Sequence, residues 1–260
     1  MNAFLVGTER ESLLIDAGFD DPHSALAIQK AVEKNNLAYP TRVLLTHAHP
    51  DHAGGVRWLR PWNAIVMFHR EEEDLLRRTI GESLRRSLNG QYLDDQADAT
   101  VDGHSVIALH TPGHTRGHLS FWLPEQRVLF SGDNVLGKST TWIGPPEGNL
   151  RDYLRTLDRL DRLPVRAIAP GHGSWIPNPH ERIHRLRRHR LEREMQILTF
   201  FQTASRQPVD LFTLTRAIYG QKLPDRVFPF AMKTMEAHLQ KLIEDGLIRR
   251  TDHNQYSIKC

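Results

Sequence analysis

The chain has 260 residues, 39% of them hydrophobic, with 34 basic and 31 acidic side chains and a net charge of +3; that length holds one large domain or a large and a small one, and so mild a charge does not by itself imply a polyanionic partner. Its single cysteine, Cys260, excludes an internal disulfide framework and suits a reducing compartment. No run reaches the roughly 18 apolar residues of a membrane span and no secretory pattern opens the chain, so a cytoplasmic protein without a membrane partner is expected.

Residues 3–6 and 12–15 read as strands around Gly7-Thr8-Glu9-Arg10, followed by Asp16-Ala17-Gly18. Residues 22–36 read as a helix with Leu26, Ile28, Ala31 and Val32 as its apolar positions. A strand over 42–46 runs into Thr46-His47-Ala48-His49-Pro50-Asp51-His52, Gly54-Gly55 opens a short helix, and 64–68 is a further strand. Residues 69–95 break the rhythm. Their charges predict an exposed helix, and Leu84, Leu88, Tyr92 and Leu93 predict a second one, forming either a surface excursion or a lid. Strands at about 105–110, 119–123 and 127–131 follow, then a helix over 149–162 and a strand over 165–169. This alternation argues for a layered α/β core. Beyond it come a long helix from 179 to about 201, a helix over 211–219 closed by Gly220, another over 231–244, and a terminal hairpin, the outline of a winged helix. The expected organisation is a catalytic unit over 1–178, a connecting helix over 179–204 and a winged helix over 205–260.

The segment at 47–52 places three imidazoles and a carboxylate at a strand end. These are ordinary ligands of zinc and its neighbours. Three later segments carry the same chemistry just after strands: His110 to His118, Ser131-Gly132-Asp133, and Pro170-Gly171-His172-Gly173. The partition that follows puts His47, His49 and His114 on one metal ion, Asp51, His52 and His172 on a second, and Asp133 across both. Two divalent ions are expected, Zn2+ first, with Mn2+ and Fe2+ as alternatives. They would share a hydroxide between ions about 3.5–4 Å apart. Asp51 and His118 are the expected catalytic side chains. Asp51 would ligate and orient the nucleophile, and His118 would hold a ligand or its loop. His110 reads as structural, and no partner spacing recruits His69.

The recurrence of these segments resembles the metallo-β-lactamase superfamily over about residues 1–178. That resemblance implies an αββα sandwich. It also implies that Asp16 organises the ligand loops without binding metal. An absent cysteine ligand together with Asp133 points away from a true β-lactamase and towards glyoxalase-II-like, thioesterase and ribonuclease branches. The C-terminal part is similar to a branch of small β-lactamase-like proteins with a winged helix, through His189-Arg190, Arg193-Glu194, Gln196-Ile197-Leu198, Ile218-Tyr219 and the stretch from Ala237 to Leu242. That branch includes single-strand RNA endonucleases and carrier-bound polyketide thioesterases.

Six arginines at 182, 185, 187, 188, 190 and 193 serve either as phosphate contacts or as a solvated helix with buried stems. Trp142 and Trp175 either stack on a base, line an acyl pocket, or pack in the core. The helix over 232–244 carries mixed charge, so reading duplex nucleic acid competes with a packing, homodimer or pocket-wall role. The sequence therefore leans slightly to a hydrolase of single-stranded RNA. The alternatives are an ester or thioester hydrolase acting on a small acyl substrate, and a non-enzymatic nucleic-acid-binding protein.

Overall fold

Leu13, Leu14 and Ile15 are all fully buried, yet they enter different cores. Successive strand residues point to opposite faces, so Leu13 and Ile15 join one cluster and Leu14 another. A strand apolar on both faces has to be covered on both. The computed structural model, which describes residues 1–203, 207–220 and 223–259, meets that demand with four layers. Cys260 and the expected boundary at 204–205 lie outside the described residues.

The first sheet contains β1 (Phe4–Gly7), β2 (Ser12–Ile15), β3 (Arg42–Leu44), β4 (Ile65–Phe68) and β5 (Gly90–Tyr92), in that spatial order. β1 and β2 are antiparallel, and the later neighbours are parallel. The second sheet orders β6 (Ile107–His110), β7 (Leu119–Leu123), β8 (Val128–Gly132) and β9 (Ala167–Pro170), with only β8 and β9 parallel. Leu13, Ile15, Leu44, Phe121 and Phe130 fill the space between the sheets. Outside the first sheet, Leu14, Val43, Val66 and Phe68 meet α1 (Pro22–Lys34), a 3-10 helix at Gly54–Trp62 and α3 (Glu73–Ile80), after the short α2 (Pro50–Ala53). Outside the second, Leu109, Leu129 and Ile168 meet α5 (Leu150–Asp161) and the first half of α6 (Pro179–Thr203). The αββα sandwich expected from the resemblance is the architecture observed.

The second half of α6 enters another core. Ile197 and Phe201 pack with Leu214 of α7 (Leu211–Tyr219), Met235, Leu239 and Leu242 of α8 (Phe228–Glu244), and Ile248 and Tyr256. A three-stranded sheet completes this winged helix, with β10 (Val209–Asp210) beside β12 (Gln255–Ile258) and β12 beside β11 (Ile248–Arg250).

Several local expectations are corrected. The second helix of the 69–95 excursion, α4 (Glu82–Ser87), ends early, and β5 takes residues 90–92. Leu84, Leu88 and Tyr92 recur at helical spacing, but pairing of 90–92 with the open edge of β4 overrides it. Leu93 then turns into the inter-sheet core. Of the four apolar positions expected on α1, Ile28 and Val32 are buried, while Leu26 is 45% exposed. α8 begins three residues earlier than expected, with proline in its first turn, where the missing N–H costs no helical bond. Among the described residues no helix is long and apolar enough to cross a membrane.

Candidate metal centre

β3, β6, β8 and β9 all deliver their C-terminal loops to one edge of the sandwich. β3 supplies 47–52, β6 the loop with His114, β8 Asp133 and β9 His172. His49 is the N-cap of α2 and Pro50 opens its first turn, so Asp51 and His52 are helical while His47 and His49 leave an extended stretch. This break in direction turns one short segment to both halves of the site.

His49 Nδ1 lies 3.0 Å from His114 Nε2, and His47 joins the same group of potential ligand atoms. His172 Nε2 lies 3.0 Å from Asp51 Oδ2 and 3.4 Å from His52 Nε2. Asp133 stands between the two groups, with Oδ1 3.4 Å from His52 Nε2 and Oδ2 3.7 Å from His114 Nε2. All seven side chains singled out in the sequence are therefore brought together.

Their outer atoms fix which nitrogens face inward. His52 Nδ1–H donates to Asp16 Oδ2 at 2.8 Å, and His114 Nδ1–H donates to the Trp142 carbonyl at 2.8 Å. Thr46 gives its backbone N–H to Asp16 Oδ1 at 2.8 Å, and its hydroxyl lies 2.9 Å from Oδ2. The same hydroxyl is 3.0 Å from His47 Nδ1. Asp16 thus ties one histidine of each group, and it holds a left-handed backbone (φ 60°) to do so. His49 turns Nε2 towards Glu147, 3.7 Å away.

Burial holds His47, His49 and His114 below the ordinary imidazole range, with His114 lowered to about 4. Burial alone would raise Asp133, but His52, His114 and His172 outweigh it and keep the carboxylate ionised. Burial would also lower His52, yet the Asp16 and Asp133 carboxylates raise it to about 10. In the metal-free cluster His52 therefore carries a proton where a cation would otherwise balance the acids. Metal ligands have to be unprotonated, and burial already favours that form for His47, His49 and His114.

Two further observations fit a metal. His47 Nε2 and Asp133 Oδ1 are buried with no hydrogen-bond partner. A Cβ on Gly171 would stand 2.5 Å from Asp133 Oδ1 and 2.8 Å from His52 Cε1, so glycine keeps the space between ligands open. A cysteine-free donor set of imidazole and carboxylate suits zinc, manganese or iron.

His118 is not at the surface of this centre. It is fully buried, its Nε2 accepts the Asp133 N–H at 3.2 Å, and its Nδ1 lies 3.0 Å from the Thr111 hydroxyl. The role expected of it, holding a ligand or its loop, is compatible with that place behind Asp133. His69, for which no partner was expected, stacks on His110 with ring centres 4.0 Å apart. Parallel stacked rings direct their in-plane lone pairs side by side, and His110 Nε2 donates to the Arg116 carbonyl at 2.9 Å.

Sequence reasoning missed Glu72. It sits in an acidic run that reads as an exposed helix, yet it is 1% exposed. It accepts from Ala48 N–H at 2.8 Å and Gly117 N–H at 2.9 Å, joining two ligand loops from behind. Burial raises its pKa. Thr79 donates to the Ala48 carbonyl and Arg78 pairs with Glu147 at 3.1 Å, so the 69–95 excursion braces the site. Trp142 is edge-on to His114 at 6.5 Å between centroids and to Phe230 of α8 at 6.0 Å. Trp175 is 53% exposed beside Phe4.

The six arginines of α6 do not make a track. Arg182 and Arg190 turn inward to backbone carbonyls, Arg187 pairs with Asp158, and Arg193 stacks on Tyr219. α8 is docked as well, since Arg151 of α5 holds Glu244 and Asp245 at its end.

Residues 2–172 match the model of the Metallo-beta-lactamase superfamily, and residues 213–255 that of the Beta-lactamase associated winged helix domain. A "Beta-lactamase-like protein 2 homolog" of Caenorhabditis elegans is 30% identical over 95% of this chain and 80% of its own. An "Atrochrysone carboxyl ACP thioesterase" of Passalora fulva is 32% identical over 95% of this chain and 72% of its own. The crystal structure of a metallo-beta-lactamase family protein from Thermus thermophilus superposes with a TM-score of 0.80 at 26% identity, covering 99% of this chain and 93% of that one.

Proposed function

Given that this chain belongs to the metallo-beta-lactamase superfamily, and that its fold and potential metal-binding groups support a metal-binding hydrolase, we propose that it hydrolyses thioesters or closely related esters of an acyl substrate. His47, His49 and His114 would hold one divalent cation and Asp51, His52 and His172 a second, with Asp133 shared between them. Zinc is the first choice of ion. When bound, such ions would polarise a carbonyl and bring the pKa of a water down towards neutrality.

The chain's own groups supply the rest. Asp51, one carboxylate oxygen of which faces His172, orients the attacking water and takes its proton. Asp16, Thr46 and the Trp142 carbonyl keep His52, His47 and His114 in their ligating tautomers. Water adds to the acyl carbon, the carbon–sulfur bond breaks, and the returned proton leaves with the thiol.

One observation carries the choice of substrate: the surroundings of the site suit an acyl group better than a phosphodiester chain. Of the six arginines on α6, Arg182 and Arg190 are turned inward, Arg193 stacks on Tyr219 and Arg187 is paired at the surface with Asp158. The cavity of about 430 Å³ is lined by Glu71, Glu72, Asp74 and Glu147 as well as Arg78 and Arg116, a mixed lining without the cationic excess that suits a phosphodiester chain. On the other flank Trp142 and Phe230 offer an aromatic wall. The thioesterase among the relatives supports the same reading, so the slight lean of the sequence towards RNA gives way to its alternative.

Metal-loaded protein assayed in parallel against a panel of acyl thioesters and single-stranded RNA tests this. Thioester hydrolysis that disappears in His47→Ala is the expected result. Cleavage of RNA with no thioester turnover would overturn the reading. RNA binding without hydrolysis of either substrate would favour the non-enzymatic alternative.

A further inference from the structure

Two arginines of α6 point inward and are largely withdrawn from solvent. Arg182 is 6% and Arg190 3% exposed. Their separation is a little over two helical turns, so both leave from one face. Among the described residues neither faces a carboxylate. Arg182 donates to the carbonyls of Leu136 and Ser139, and Arg190 to that of Thr141, with its guanidinium 5.6 Å from the centre of the Tyr153 ring. A buried charge without a counter-charge is costly, and an apolar side chain of similar volume is the more stable choice. Packing alone does not account for these arginines.

What they hold does. Every acceptor lies in the segment 136–141, which joins Asp133 to Trp142. The Thr141 hydroxyl donates to the carbonyl of Asp133 at 2.8 Å and lies 3.0 Å from that of Asn134, which also accepts from Tyr153 Oη at 3.0 Å. The next carbonyl, that of Trp142, accepts from His114 Nδ1 at 2.8 Å. A planar, permanently charged donor fork suits the fixing of such carbonyls.

We infer that Arg190, backed by Arg182, is a positioning residue of the metal centre: it fixes the backbone that carries Asp133 at one end and the Trp142 carbonyl, which sets the tautomer of His114, at the other. This rests on the metal-ligand reading given above. It gives the arginine-rich helix a role directed at the site and not at a polyanion. The helix that bears Arg190 continues into the winged-helix core, so that unit is tied to the ligand geometry without touching a metal.

The test uses the full chain, stripped of metal and titrated with Co2+, whose visible absorption reports ligand geometry. Arg190→Met and Thr141→Val are compared with the exposed Arg185→Met. Both inner variants should bind Co2+ about 10–100-fold more weakly, the usual cost of losing an outer support of a ligand, and should shift the visible band. Arg185→Met should match the wild type in both. Wild-type affinity and spectrum in Arg190→Met overturn the inference, and Thr141→Val decides in the same way if Arg190→Met does not fold. A wild-type chain that takes up no Co2+ is a separate result, which refutes the metal reading itself and this inference with it.

Discussion

Replacing Asp16 by asparagine changes one oxygen and one charge, and its effect follows from four contacts. The carboxylate receives the Thr46 N–H at 2.8 Å, the Thr46 hydroxyl at 3.0 and 2.9 Å, and His52 Nδ1–H at 2.8 Å. An amide in its place can keep its oxygen on the Thr46 N–H, which leaves its NH2 group facing His52 Nδ1–H, donor against donor. The imidazole escapes that clash by moving its proton to Nε2, the nitrogen aimed at the metals. One charge-assisted bond, about 1.5–3 kcal/mol, is lost. At about 1.4 kcal/mol per factor of ten, that weakens the half-site of Asp51, His52 and His172 by roughly 10–100-fold. His49 and His114 make no contact with Asp16 and His47 reaches it only through the Thr46 hydroxyl, so the other half-site should be affected less. Native mass spectrometry of Asp16→Asn during Zn2+ titration should show one ion retained when the wild type holds two. Two ions bound at wild-type affinity would refute the reasoning, because the tautomer would then not depend on Asp16.

The remaining expectations are simpler. Glu72→Ala orphans the buried N–H groups of Ala48 and Gly117, a loss of about 2–6 kcal/mol at about 1–3 each, which a fall in melting temperature of about 5–20 °C would register; no fall would mean that the loops do not need this brace. Phe230→Ala removes a half-exposed ring from the Trp142 wall, so KM for a long-chain acyl thioester should rise about 5-fold with kcat nearly unchanged, from a loss of about 1 kcal/mol. A fall in kcat alone would place Phe230 elsewhere in the reaction. In the metal-free protein, His52 is raised from 6.5 to about 10. Its contribution to stability is thus fully present below pH 6.5 and is lost as pH rises through about 10. Urea midpoints at about pH 6 and about pH 9 should therefore fall with pH in the presence of chelator, and a rise would contradict the assignment.

The centre was largely legible because each candidate ligand stands directly after a strand and beside a turn. Periodicity finds strands, and imidazole and carboxylate at their ends are rare enough to be noticed together. The supports were not legible. Glu72 is masked by Arg70, Glu71, Glu73 and Asp74, and only the fold shows that it alone turns inward. The Trp142 carbonyl is a backbone group and leaves no mark in a sequence. Arg182 and Arg190 look like their four neighbours on α6, since charge patterning does not separate a clamp from a solvated face. The fold was read in the same way. Long apolar strands declared themselves, while β5 and β10 form only because a neighbouring strand has an open edge to pair with.

The ligands come from distant parts of the chain, and that has a consequence in polymer terms. His49 and His114 are 65 positions apart, and His52 and His172 are 120 apart. An ion bonded across either pair closes a loop whose formation in a disordered chain costs about 4 kcal/mol for the shorter and about 5 kcal/mol for the longer. On the proposed ligand partition each ion would act as a reversible cross-link between the two sheets, and a chelator would sever it as a reductant severs a disulfide. With one cysteine, this sequence can make no such tie through a disulfide of its own.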